Sequence, residues 1–172
     1  MSAKSKLILV DTNVIIEGHR TKSWRTLTQR FQVETVEECV METQTGAQNR
    51  RPEQQIGEAT LRAALHGVHV VSDLERASAL LRDEQVRTLD PGEQALWAHG
   101  LGRTDGWLLC GPDKASIRLG VRLGFRDRMV PLEALLDEVG HRPHTPLRTA
   151  YTKKWLAACL TELALQEGKG LA

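Results

Sequence analysis

The chain has 172 residues, which is long enough for one domain with a sizeable hydrophobic core and too short to favour two domains. Its 23 lysines and arginines balance 22 aspartates and glutamates, so the formal net charge is only +1. The overall field therefore excludes strong general attraction to a polyanion, and such a partner would have to be held by a local basic patch.

The cysteines are few and widely spaced. Cys39, Cys110 and Cys159 are odd in number and include no C-x-x-C pair, which argues against a disulfide framework and a zinc site and favours a reducing environment. The apolar run before Asp11 has four residues, too short for the core of a signal peptide, and no other segment approaches membrane-spanning length. We expect a soluble cytoplasmic protein with no membrane partner.

Short apolar runs and helix-like segments alternate along the chain. Strands are predicted at residues 6–10, 69–71 and 107–110, and less clearly at 31–35 and 128–130. Helix start signals lie between them: Ser72 and Glu75 have capping-box spacing, Asp90 precedes Pro91 and a helix that ends at Gly100, and Pro131 to Gly140 repeats this pattern. Alternating short strands and helices predict an α/β protein with a parallel sheet.

The C-terminal part has a different character. Residues 140–148, "GHRPHTPLR", contain two prolines and several basic residues and are typical of a linker. Beyond them, residues 151–166 carry apolar side chains at helical spacing. We therefore divide the chain into a main domain, residues 1–140, and a linker with a C-terminal helix, residues 141–172, packed on the same domain or against a second subunit in a homodimer.

Two aspartates follow predicted strands directly. Asp11 comes after "LILV" and Asp113 after "WLLCGP", and ligands of parallel sheets bind beyond the carboxyl ends of the strands. These two acids are therefore expected at one rim. Each also has a purely structural alternative, because an aspartate at this position caps the next helix. Glu93 has such an alternative too, since it stands where a glutamate closes a capping box with Asp90.

The segment "VETVEECVMETQTG" carries four glutamates within nine residues: Glu34, Glu37, Glu38 and Glu42. Glu38 and Glu42 are four residues apart and share a helix face, where like charges repel unless a cation lies nearby. A solvated acidic face is the alternative interpretation. Because this helix follows the second predicted strand, its first turns are expected to reach the same rim.

Together, "LILVDTNVII", the acidic helix and "GEQALWAHGLGRTDGWLLCGPDKASIRLG" resemble the PIN-domain family of ribonucleases over about residues 6–130. In that family an Asp ends the first strand, followed by Thr or Ser and often Asn. A Glu lies in the helix after strand two, a third acid begins a later helix in a GE-x-x-A or D-x-x-x-A context, and an Asp follows the next strand. Here these positions fall on Asp11, Glu42 (with Glu38 as second choice), Glu93 and Asp113.

The resemblance implies a three-layer α/β/α sandwich with a mostly parallel sheet, here with a C-terminal helical extension. It also implies a Mg²⁺- or Mn²⁺-dependent endoribonuclease, toxin-like and inhibited by a partner protein. The chain departs from the family pattern at "CGPD", where polar residues often precede the last aspartate, and in the tail from about residue 141.

Hydrolysis of a phosphodiester requires an activated water and neutralisation of charge on the phosphate, which Mg²⁺ or Mn²⁺ supplies through oxygen ligands. We assign Asp11, Glu93 and Asp113 to metal binding and Glu42 to positioning a metal-bound water or a second ion. Four residues are candidates for positioning RNA: Thr12, Asn13, Lys114 and Arg118. For the two basic residues, a solvated helix face is the alternative.

The sequence also bears on other metal ligands and on rival hypotheses of function. The six histidines show no ligand spacing on one predicted helix, so none is expected to bind a metal. A PIN-like module that binds RNA or protein without cutting is the main rival hypothesis. A phosphatase with Asp11 as nucleophile is disfavoured, because this chain has Asn13 where such enzymes usually carry a second acid.

Overall fold

The fold is known from a computed structural model, which describes residues 5–46, 51–52 and 55–169. The strands in these ranges are β1 (Leu7–Val10), β2 (Gln32–Val36), β3 (Gly67–His69) and β4 (Trp107–Cys110). The α-helices are α1 (Thr12–Arg20), α2 (Trp24–Arg30), α3 (Glu37–Thr45), α4 (Glu58–Ala64), α5 (Asp73–Arg82), α6 (Pro91–Leu101), α7 (Lys114–Arg122), α8 (Leu132–Glu138) and α9 (Lys153–Lys169).

The strands form one parallel sheet in the order β3-β2-β1-β4, which confirms the predicted α/β class. Because β1 is flanked by β2 and β4, its carboxyl end lies in the interior of the rim. Leu9 of β1 lies opposite Glu34 on one side and Leu109 on the other. The residues that follow β1 and β4 therefore emerge side by side.

Two strand predictions differ from the structure. The third strand is Gly67–His69 instead of 69–71, because its partner β2 ends at Val36, opposite His69, where α3 begins. The run 128–130 makes only a single bridge, Met129 to Leu109, and no strand. Pro131 follows directly and has no N–H group with which to extend the ladder.

Helices cover both faces of the sheet, which is compatible with the predicted three-layer arrangement. Leu7 and Leu9 pack in a hydrophobic cluster with side chains of α5, α6, α7 and α9. Ile8 and Val10 point to the opposite face and pack with α1, α2, α4 and α8. Burial on both faces explains why β1 is apolar at every position.

The helix start signals are present as predicted. Ser72 and Glu75 form a complete capping box at α5, and Asp90 caps α6 with Pro91 in its first turn. The helix is two residues longer than predicted, since Gly100, expected to follow its last residue, lies inside it and Gly102 is the C-cap. A Cβ atom at position 100 would be 3.2 Å from Trp107 and 3.3 Å from Leu9, so glycine lets α6 lie close to the sheet.

The segment between α8 and α9 is hydrogen-bonded to α1. Glu17 of α1 is completely buried, and its carboxylate accepts hydrogen bonds from the Arg20 guanidinium and from the Arg148 N–H group, the latter at 3.0 Å. The same guanidinium donates to the carbonyl oxygen of Pro146 at 2.8 Å. α9 then packs on α7, with Leu163 fully buried.

Among the residues that the structure describes, no helix combines the length and apolar character needed to cross a bilayer. All three cysteines are buried free thiols.

Candidate active site

Five carboxylates meet at the carboxyl ends of β1 and β4. Asp11 follows β1, Glu42 lies in α3, and Asp113 follows β4, while α6 supplies two acids at its N-terminus, Asp90 and Glu93. Their proximity is evident in their electrostatics, because Asp90, Asp113 and Glu42 each act on the Asp11 carboxylate. The four acids inferred from the resemblance are thus brought together, and Asp90 joins them.

Asp11 is buried, with 4 % of its surface exposed. Burial raises the pKa of its carboxyl group to about 7, and the neighbouring acids add to this effect. The Val14 N–H group donates to its Oδ1 at 2.9 Å and lowers the pKa in part. Asp11 therefore caps α1 and faces the other acids at once, so the two interpretations of this residue are compatible.

Glu93 is buried to a similar degree, with 5 % exposed. Burial raises the pKa of its carboxyl group to about 8, and Asp113, Asp90 and Asp11 raise it further. The N–H group of Asp90 opposes this shift only weakly. A glutamate placed merely to cap α6 would not need to be buried among three other carboxyl groups.

Glu42 is held in a fixed position by two donors. The Thr12 hydroxyl donates to its Oε2 at 2.6 Å, and the Gly92 N–H group donates to its Oε1 at 3.0 Å. These hydrogen bonds join α3 to the first turns of α1 and α6. Glu38 instead forms an ion pair with Arg76 of α5. Of the two glutamates considered from the sequence, Glu42 is the one that lies with the other acids.

Asp113 caps α7, because its Oδ1 accepts a hydrogen bond from the Ser116 N–H group at 3.0 Å. The Ser116 hydroxyl in turn accepts a hydrogen bond from the Trp97 indole of α6 at 2.8 Å. This contact ties the N-terminal turn of α7 to α6. Asp113 and Glu93 therefore lie on two helices that are joined by a hydrogen bond.

None of the five acids takes part in an ion pair within the described part of the chain. Asp11 and Glu93 are buried, Glu42 and Asp113 are partly buried, and Asp90 is exposed. Carboxylates that repel one another at such a place without a neutralising side chain destabilise a fold. Such a group is typical of a functional site, where a bound cation provides the missing positive charge. Sequence reasoning treated Asp90 only as a helix cap, although its position three residues before Glu93 was the available signal.

The residues predicted to position RNA are in part engaged elsewhere. The Thr12 hydroxyl is committed to Glu42. Asn13 is exposed in the first turn of α1. The Lys114 ammonium group bonds to Glu162 of α9 at 2.8 Å, and the Arg118 guanidinium bonds to Gln166 at 3.3 Å. Both basic side chains therefore face α9 while remaining exposed to solvent.

Tyr151 also lies near the acids, and no motif in the sequence predicts this position. It is buried in the segment before α9, and its hydroxyl donates to the carbonyl oxygen of Asn13 at 3.3 Å. Burial raises the pKa of Tyr151, and the nearby Asp11 carboxylate adds to the effect. The tail thus contributes a side chain beside the first strand end.

Replacement of Gly92 by alanine tests the position of Glu42. A Cβ atom at position 92 would be 2.7 Å from the Glu42 Oε1 atom, so the carboxylate must move and lose its hydrogen bond to the N–H group. Where the acids hold Mn²⁺, we expect its affinity, measured by calorimetry, to fall about tenfold, as when a group that orients a ligand is lost. Gly106→Ala is the control, because nothing lies within 4 Å of a Cβ atom there. Equal affinities in the two variants would contradict a role for Glu42.

A second group of potential ligands lies between the sheet and α6. Atoms of Glu34, His69 and His99 are within 4.8 Å of one another. These residues come from β2, β3 and α6, so no local spacing in the sequence could reveal them.

Comparisons of the chain with protein-family models, with curated proteins and with solved structures gave no match.

Proposed function

We propose that the chain is a metal-dependent endoribonuclease of the PIN type, which hydrolyses RNA phosphodiester bonds with Mg²⁺ or Mn²⁺. The observation that carries this proposal is the meeting of five carboxylates at the carboxyl ends of β1 and β4 with no ion-pair partner among the described residues. Repulsion among these carboxylates lowers the stability of the metal-free protein, and a bound divalent cation would offset this loss.

The donor set fits such an ion. All five groups offer carboxylate oxygens, which hard cations such as Mg²⁺ and Mn²⁺ prefer over nitrogen or sulfur. Asp11, Glu93 and Asp113 would hold the ion, and it would supply Lewis-acid activation of water and phosphate. Glu42, fixed by Thr12 and Gly92, would orient the attacking water or hold a second ion.

The raised pKa values have a direct chemical consequence. Because the pKa values of Glu93 and Asp11 are raised to about 8 and about 7, these carboxyl groups hold protons near neutral pH in the folded protein without a cation. A divalent cation binds the ionised carboxylates and must displace these protons. Metal affinity should therefore increase with pH up to about pH 8.

The remaining elements of the proposal concern substrate and partners. Asn13 is exposed at the start of α1 beside Asp11, where it can contact a phosphate. Lys114 and Arg118 would bind RNA phosphates in competition with their contacts to α9. A toxin-like role, an inhibitory protein partner, a homodimer and a cytoplasmic location belong to the same proposal.

The test is cleavage of a labelled single-stranded RNA by the purified full chain with Mn²⁺, Mg²⁺ or EDTA. We expect cleavage with either metal, none with EDTA, and none by Asp113→Asn. Asp127→Asn is the matched control, because Asp127 is an exposed aspartate in the turn after α7, away from the strand ends.

Full activity in Asp113→Asn would contradict the site assignment. Binding of RNA without cleavage by the wild-type protein in either metal would contradict the nuclease and support the binding module instead.

A further inference from the structure

The second group of potential ligands is built on the sheet register. Glu34 of β2 is buried and lies opposite Gly67 of β3, two residues before His69. The His69 Nε2 atom is 2.7 Å from the Glu34 Oε2 atom. A Cβ atom at position 67 would lie 3.1 Å from that nitrogen and 3.4 Å from the Glu34 carboxyl carbon. Glycine at this position leaves room for both side chains to meet.

A further histidine lies within reach of the same carboxylate. The Nε2 atom of His66 is 3.8 Å from the Glu34 Oε1 atom, and its side chain is about half exposed. The short sequence His66-Gly67-Val68-His69 thus places an imidazole near each oxygen of Glu34. His99 of α6 completes the group with Glu34 and His69, and His66 lies beside the other oxygen of the carboxylate.

The ring of His99 directs an acceptor nitrogen toward this volume, where it is engaged by Arg103. Its Nδ1 atom is 3.6 Å from a carboxylate oxygen of Glu75, while its Nε2 atom is 3.0 Å from the Arg103 Nη1 atom. Because a guanidinium only donates, the Nε2 atom must accept and carries the lone pair. A carboxylate behind a neutral histidine is the usual support of a metal ligand.

Arg103 takes the place that a cation would occupy. Its Nη1 atom is 2.9 Å from the Glu34 Oε2 atom as well as 3.0 Å from His99 Nε2. The rest of the guanidinium bonds to Asp105, which is exposed, at 2.8 and 2.6 Å. Arg103 can therefore withdraw toward solvent and keep this partner. The rings of His69 and His99 are stacked at 4.1 Å, so one must rotate before both can face one ion.

We propose that Glu34, His69 and His99 form a second metal site for a cation of the Zn²⁺ class, with His66 as fourth ligand and Arg103 as the displaceable cation that fills the site when the metal is absent. A set of four ligands made of imidazoles and a carboxylate suits Zn²⁺ better than Mg²⁺. His99 follows Glu93 by six residues on α6, or about 9 Å along the helix axis, so the two sites are separate. This inference does not depend on the nuclease.

The experiment is calorimetric titration of the purified full chain, stripped with chelator, with Zn²⁺, and in parallel with Co²⁺ to record its visible absorption. We expect the wild type to show a site with a tetrahedral Co²⁺ spectrum, separate from any binding of the ion to the carboxylates. His69→Gln and His99→Gln should each weaken binding by at least about tenfold. Arg103→Gln should tighten binding about tenfold, because it removes the competing cation and leaves Glu34 without its ion pair.

Two controls separate this site from others. His144→Gln changes an exposed histidine in the linker and should leave Zn²⁺ affinity unchanged. Asp11→Asn alters the carboxylate site and should also leave it unchanged. Unchanged affinity in both His69→Gln and His99→Gln would overturn the proposal. Weaker Zn²⁺ binding in Arg103→Gln would overturn the assignment of Arg103 as a competitor, since it would then be a structural support.

Discussion

Asparagine in place of Asp11 is expected to stabilise the metal-free protein at pH 8 and to abolish its response to Mn²⁺. The pKa of Asp11 is about 7 in the fold against a usual value of 3.8. A carboxyl group whose pKa is raised on folding contributes stability at low pH and loses it as the pH rises through the folded value. Asparagine cannot ionise, yet its side-chain oxygen still accepts the hydrogen bond from Val14 and caps α1.

Urea denaturation of both proteins at pH 5 and pH 8 in EDTA measures this effect. The wild type should lose more stability than Asp11→Asn between these values, by on the order of 3 kcal/mol. With Mn²⁺ the melting temperature should rise only in the wild type, and RNA cleavage by the variant should fall at least about 100-fold. Asp127→Asn again provides the control. Parallel pH profiles, or a retained Mn²⁺ response in Asp11→Asn, would show that Asp11 is only a helix cap.

The second large effect concerns the buried ion pair of Glu17 and Arg20. Alanine at position 17 would leave the guanidinium partly buried without its carboxylate and deprive the Arg148 N–H group of its acceptor. Breaking a buried pair from one side costs about 3–5 kcal/mol, so we expect a loss of this size in the free energy of unfolding. Glu17→Gln should lose less, because the amide oxygen still accepts one hydrogen bond.

The same pair has a predictable pH dependence. Burial alone would raise the pKa of Glu17, but hydrogen bonds from Arg20 and Arg148 outweigh it and hold the pKa below its usual value of 4.5. The stabilisation is therefore present above about pH 4.5 and is lost as the pH falls through the folded pKa. Glu138→Ala breaks the exposed pair with Lys6 and should cost less than about 1 kcal/mol. Equal losses in Glu17→Ala and Glu138→Ala would contradict the buried pair.

Much of the fold could be predicted because its signals are local. The apolar runs that became β1, β2 and β4 lie within one residue of their predicted bounds, and the caps Ser72 and Asp90 begin helices as their chemistry requires. The errors arise where the bounds of an element depend on a contact with an element distant in sequence. The extent of β3 depends on where β2 ends, and the inclusion of Gly100 in α6 depends on its contact with Trp107.

The same distinction holds for the candidate sites. In a parallel sheet, an acid after each strand must reach one rim, so Asp11 and Asp113 could be placed together from chain order alone. The contact with Thr12, which only the structure shows, distinguishes Glu42 from Glu38. Asp90 was not predicted to join the acids, because its position is fully explained by its role as the cap of α6. The group around Glu34 arises from strand register and the length of α6, and the sequence carries no local signal for it.

The order of the strands also determines when the carboxylate site can form during synthesis. β1 lies between β2 and β4, so the first strand made has no neighbour on one side until residues 107–110 are available. Asp113 lies about two thirds of the way along the 172-residue chain, and the Glu17 to Arg148 contact spans 131 positions. Contacts between residues so far apart in sequence form late in folding. A nascent chain on the ribosome therefore lacks the assembled acids until most of it has emerged.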